Sequence, residues 1–158
     1  KGQGKITYSI PKHTYVGVPM SIIHAGGKVA FDDRKWVGEY QLGEYPLWDS
    51  AKLLTSGMYR PGNFQCLSLH WAKTLAVGWG GVILHDNDSA DNWFKRARFD
   101  GRKEGVKPVD DKDLIIGWHC MMSPAQAAEA LTRLSFLPKH NEPQTDNYPD
   151  LSTYKAFQ

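Results

Sequence analysis

Cys66-Leu-Ser-Leu-His-Trp-Ala-Lys73, followed after four intervening residues by Gly78-Trp-Gly-Gly81, is the stretch whose reading decides the fold. Phe64 to Leu69 is an apolar run of strand length, and Gly80-Gly81 introduces a second run, Val82 to His85. Lys73 falls just past the first strand, among apolar and aromatic residues and close to glycines. Burial in such surroundings disfavours the ammonium form and leaves a neutral amine able to act as a nucleophile.

Working outward, Ile6 to Ile10 reads as a short strand stopped by Pro11. Thr14 to Ala25 reads as a short helix, with Pro19 confined to its first turn, and Gly26-Gly27 ends it. Lys28 to Phe31 is a strand closing at Asp32-Asp33, and Trp36 to Glu44 is too polar and glycine-punctuated to assign. Tyr45 to Trp48 leads to Asp49, and Ser50 to Leu54 leans helical. Asp88 or Ser89 is expected to cap a helix bearing Trp93, Phe94 and Ala97 that stops at Gly101. Lys103 to Asp113 is a charged loop. Ser123 is expected to cap a further helix, with Pro124 at its first position and Pro138 as its stop. Alternating strands and helices predict an α/β fold, a layered sheet with flanking helices. Ligands in such folds gather beyond the carboxyl ends of strands, where Asp49, His70 and Lys73 all fall. Residues 1–138 are expected to form the domain, and residues 139–158 an extended C-terminal tail.

The 158 residues amount to one domain's worth of chain, with 41% hydrophobic and 23% charged residues and a net charge of +2. Lys and Arg are scattered, so nothing calls for a nucleic-acid or membrane partner. Cys66 and Cys120 have neither metal-pair nor disulfide-framework spacing and read as reduced thiols of a cytoplasmic protein. No apolar run is long enough to span a bilayer, and no signal peptide opens the chain. The chain begins at Lys1 without Met, consistent with a segment of something longer.

The segment from Leu67 to Gly81 resembles the cofactor-lysine segment of the DegT/StrS family of sugar aminotransferases, a strand and Phe-Ser-Phe-His-Pro-x-Lys followed by Gly-x-Gly-Gly. The resemblance implies part of the large domain of a pyridoxal 5′-phosphate (PLP) transferase. Lys73 would hold PLP as a Schiff base and shuttle protons, and Ser68 would contact its phosphate. Tyr45-Pro-Leu-Trp-Asp49-Ser-Ala-Lys52 resembles the family's strand ending in Glu-Asp-Ala-Ala-Gln, which implies that Asp49 pairs with the pyridine nitrogen and keeps it protonated. Lys52 stands at a cofactor-side position where the family usually has Gln or His. A second lysine there competes with the pyridinium unless it points away. Ile6-Thr-Tyr-Ser-Ile-Pro11-Lys-His-Thr14-Tyr15 resembles Val-Ile-Val-Pro-Ser-x-Thr-aromatic, making Tyr15 the candidate ring stacker. Gly117-Trp-His119-Cys-Met-Met122-Ser123-Pro-Ala-Gln126 resembles Gly-Tyr-Asn-Tyr-Arg-Met-Ser-x-x-Gln, placing His119 where the family's Asn reaches the phosphate of the neighbouring subunit's cofactor.

The resemblance runs with gaps from about Lys5 to about Leu137. The family's glycine-threonine phosphate loop corresponds to a position before Lys1, its small C-terminal domain has no counterpart, and between Asp33 and Trp48 the family carries an additional helix and strand. The implied activity is transfer of an amino group from glutamate to a keto-sugar, usually nucleotide-linked. The alternative is a catalytically inactive relic of the same fold that binds a ligand or a partner. Family members are dimers with sites at the interface, so a homo-oligomer is expected, with Trp71, Trp79, Trp118, Met121 and Met122 as exposed contact candidates.

Overall fold

The computed structural model describes residues 5–158. Strand β1 (Thr7–Pro11) pairs in parallel with β2 (Lys28–Asp32), and helix α1 (Gly17–His24) crosses over between them. Pro19 lies in the first turn of α1, where its missing N–H costs nothing. The second sheet has the order β3 (Tyr40–Gln41), β4 (Leu47–Asp49), β5 (Phe64–Ser68), β6 (Gly81–Leu84). Only its central pair, β4 and β5, runs parallel, with Asp49 level with Cys66. Helix α2 (Asp88–Ala97) follows β6 and sets Phe94 edge-on against Phe64 of β5. Helix α3 (Pro124–Phe136) and two single 3₁₀ turns complete the described elements.

The unassigned stretch is what separates the two sheets. Between Asp33 and Trp48 the chain forms one bridge, Val37 to Glu39, and the two-residue β3, which runs antiparallel to β4. The sheets meet there through a backbone hydrogen bond from Gly43 N to Ser9 O of 2.8 Å, and through a shared core of Ile10, Ile22, Tyr40 and Leu42.

Three local expectations are corrected. Ser50 to Leu54 is a turn, not a helix. Its polar groups go to distant partners: Lys52 N donates to Gly38 O, Lys52 O accepts from Gln144 N, and Ser50 Oγ donates to Glu39. The cap of α2 is Asn87 rather than Asp88 or Ser89. Asn87 has the extended backbone a cap needs, and its Oδ1 accepts from Ala90 N at 2.8 Å. Asp88 instead falls in the first turn, where its charge suits the helix dipole. Helix α2 itself ends at Ala97, short of the expected stop at Gly101, and the chain turns at Gly101. Its φ is +78°, and an added Cβ would lie 1.8 Å from Ile115 O, so only glycine fits. Ser123 caps α3, its Oγ accepting from Gln126 N, with Pro124 opening the helix.

Residues beyond Pro138 return to the body. Ser56 N donates to Lys139 O and Leu151 N to Lys12 O, and Leu151 is buried. Among the described residues no helix is long and apolar enough to cross a membrane.

Candidate active site

The site forms at the carboxyl ends of β4 and β5. Asp49 is the last residue of β4, and Ser68 is the last residue of β5. Lys73 sits in the loop between β5 and β6, and that loop is held from both sides. Leu69 N donates to Gly80 O, Trp71 N to Gly78 O, and Val77 N to Leu69 O. Gly80, at φ +112°, gives the return path its turn. Leu69, Leu75 and Val77 are buried together against Leu54, Met122 and Ala130, fastening the loop to α3. Lys73 N donates to His70 O at 2.9 Å, closing a turn that sends the lysine toward the strand ends.

Lys73 and Ser68 line a cavity of about 280 Å³ whose other walls include Leu54, Leu67, Leu75 and Leu84. These apolar walls withdraw solvent from the amine. Burial lowers the Lys73 pKa, and the charge of Lys52 lowers it further, against the pull of Asp49 and Asp146. The Asp49 carboxyl is pushed the other way. Burial raises its pKa, opposed by the Ala51 N–H at 3.0 Å, the neighbouring Tyr40 hydroxyl and the charge of Lys73. Both groups therefore tend toward their neutral forms. A carboxyl at a strand end that lacks a full cationic partner suits a ligand bringing an N–H cation, as a protonated pyridine ring does. Cys66, level with Asp49, is pushed up to about 11 by burial and by the Asp49 charge, so its thiol stays protonated.

Tyr15 reaches this region by way of the tail. Its ring lies 6.3 Å from that of Tyr148, which stacks on Trp36 at an interplanar angle of 12°. Thr14 Oγ1 bonds the Tyr40 hydroxyl at 2.7 Å, and Tyr40 is the cross-strand partner of Asp49. Lys52 is almost completely buried, and its ammonium is 2.7 Å from Asp146 Oδ2 and 5.8 Å from the Tyr148 ring. His119 lies apart from this group: its ring is exposed, its Nδ1 is 3.1 Å from Asp100, and its backbone bridges to Phe99. Asp49, Lys52, Ser68 and Lys73, with Tyr15 behind Tyr148, are thus gathered in one region.

Sequence reasoning missed Tyr40, Asp146 and Tyr148. Tyr40 lay in the unassigned stretch. Asp146 and Tyr148 lay in a polar segment with no local periodicity, and only their long-range partners give them a place. Of the expected contact residues, Trp71, Trp79, Trp118 and Met121 are exposed, whereas Met122 packs into the core under the Lys73 loop.

The fold matches a solved structure described as a PLP-dependent aminotransferase from Bacillus cereus ATCC 10987, with a TM-score of 0.64 and 16% sequence identity. That match covers 83% of this chain and 46% of the other, so the chain spans less than half the length of its structural relative. Residues 57–154, more than half of the chain, match the sequence model of the DegT/DnrJ/EryC1/StrS aminotransferase family, and the chain belongs to that family. The matched segment contains Ser68, Lys73 and His119, and also Asp146 and Tyr148. A comparison with curated proteins finds no match.

Proposed function

We propose that the chain carries the cofactor half of a PLP-dependent aminotransferase, passing an amino group from glutamate to a keto-sugar. The observation that carries this reading is the placement of Lys73, a partly buried lysine near a partly buried aspartate at the ends of two parallel strands. When bound, PLP supplies an electron sink that stabilises negative charge at the carbon bearing the transferred nitrogen. The residues divide the remaining work. Lys73 Nζ would be the amine that holds the cofactor and the group placed to move protons beside it. Asp49 would hold the ring nitrogen protonated, Ser68 Oγ would donate to the phosphate, and Tyr15 would cover one ring face. His119, distant from these residues within one chain, suits a contact to a neighbouring subunit's phosphate.

A homodimer fits this assignment. Trp71, Trp79 and Trp118 are each more than half exposed, which suits an interface bordering the site. A cytoplasmic setting fits the free thiols of Cys66 and Cys120. The domain is proposed to end near residue 138, with residues 139–158 serving as an arm laid back across it.

The test is the absorbance of the purified chain mixed with PLP, before and after borohydride, beside a Lys73→Ala variant. The expected result is a visible band of lysine-bound cofactor, fixed by borohydride on the peptide containing Lys73 and lost in the variant. Absence of the band, or its persistence in Lys73→Ala, overturns the reading and leaves a fold that binds a ligand or partner without transamination.

A further inference from the structure

The sheet formed by β3 to β6 has two faces, and Asp49 stands on one of them. Asp49 is level with Cys66, and Cys66 with Ile83, so these three side chains share a face. Side chains alternate along a strand, which turns Leu67, Val82 and Leu84 to the opposite face. Those three form one wall of the cavity of about 280 Å³. Leu54 and Met58, from the segment between β4 and β5, form a second wall, and Leu134 of α3 contributes a third. None of Asp49, Lys52 and Tyr15 lines this cavity. Among the residues that do, Lys73 alone is charged. Lys73 makes no ion pair among the described residues, and Asp146 is engaged by Lys52 at 2.7 Å.

We propose that this cavity is a binding site for an aliphatic monocarboxylate of medium chain length, its chain lying among the leucines and its carboxylate meeting the Lys73 ammonium. The walls set the first part of that chemistry. A sugar or nucleotide placed against them would bury hydroxyls or phosphates without partners, whereas an alkyl chain gains by leaving water. The charge sets the second part. One cation with no acidic residue in the lining matches a single negative charge, and a dicarboxylate would leave its other charge buried and unpaired. Burial disfavours the ammonium of Lys73, and an arriving carboxylate supplies the counter-charge it lacks. The volume sets the length. An apolar cavity of about 150 Å³ already holds benzene, so nearly twice that space takes a chain of about eight carbons. This site and the proposed cofactor site share Lys73 and lie on opposite faces of the sheet, so the inference does not rest on the PLP reading.

The test is calorimetric titration of the full chain, without PLP, with octanoate, octan-1-ol and octylamine. Octanoate is expected to saturate one site with a Kd of about 0.1 mM, and octylamine to bind at least about tenfold more weakly. Lys73→Met keeps an apolar stem and removes the charge; it is expected to weaken octanoate about tenfold or more and to leave octan-1-ol unchanged. Leu134→Trp, at a half-exposed position on α3, fills the cavity and abolishes binding of both. No saturable heat from octanoate at concentrations about a hundredfold above that Kd overturns the proposal. So does octylamine binding as tightly as octanoate, and neither measurement needs a variant to fold. Octanoate binding that survives unchanged in folded Leu134→Trp places the ligand elsewhere and overturns it as well. Octanoate binding by a chain that forms no lysine-bound PLP sinks the PLP reading alone, and the reverse pattern sinks this one alone.

Discussion

Asp49 and Lys73 are the residues at which burial works against the charged form. Each is withdrawn from solvent, and neither has the full partner that would settle its charge. For Lys73 the consequence for pH dependence follows from the sign of its shift. Below its lowered folded-state pKa the amine is charged in both states, and above the ordinary lysine range it is neutral in both. Between them only the unfolded chain takes up the proton, so stability rises with pH across that window. Replacing Lys73 with Met removes the penalty and keeps the apolar stem against the cavity wall. Lys73→Met is expected to be more stable than wild type near pH 7 by about 0.5–2 kcal/mol, with the difference narrowing toward alkaline pH. Calorimetric melts at several pH values check this, and a variant less stable than wild type would mean that the ammonium is well satisfied in the fold.

At the scale of elements, capping and loop anchoring fix where the reactive groups stand. Helix α3 buries none of its residues completely, yet it supports the Lys73 loop through Ala130 and the adjoining Met122 and Leu137. With so little burial, its terminus matters. The Ser123 hydroxyl satisfies Gln126 N, one of the helix's otherwise unpaired donors. Ser123→Ala is expected to cost about 1 kcal/mol, whereas Ser123→Asp keeps most of the stability. Urea unfolding of the two variants measures the difference, and equal losses in both would show that the cap contributes nothing. The elements around the site were largely legible. β5 and β6 followed from apolar runs set off by glycines, and α3 from Ser123-Pro124. The turn after Asp49 was not legible, because Ser50 and Lys52 spend their polar groups on Glu39, Gly38 and Gln144.

Across the whole molecule, the last residues act as structure rather than as appendage. Leu151 is 2% exposed and anchors a strap that brings Asp146 to Lys52 and Tyr148 between Trp36 and Tyr15. Leu151→Ala is expected to lower stability by about 2–5 kcal/mol, the usual cost of emptying a buried leucine site. It should also raise hydrogen exchange at the amides of Gln144 and Leu151, which bond to Lys52 and Lys12, more than within α3. A small loss confined to the final 3₁₀ turns would show that the strap is held by its ion pairs instead.

The sequence by itself determined the strand and loop that carry Lys73, the aspartate at the end of the preceding parallel strand, and the family. These depend on apolar runs, glycine positions and spacing, all of which are local. Only the tertiary structure decided the fate of Lys52 and the roles of Tyr40, Asp146 and Tyr148. Their partners lie far away along the chain, Asp146 being 94 residues from Lys52. No periodicity records such a pairing, because it arises from the closing of the chain upon itself.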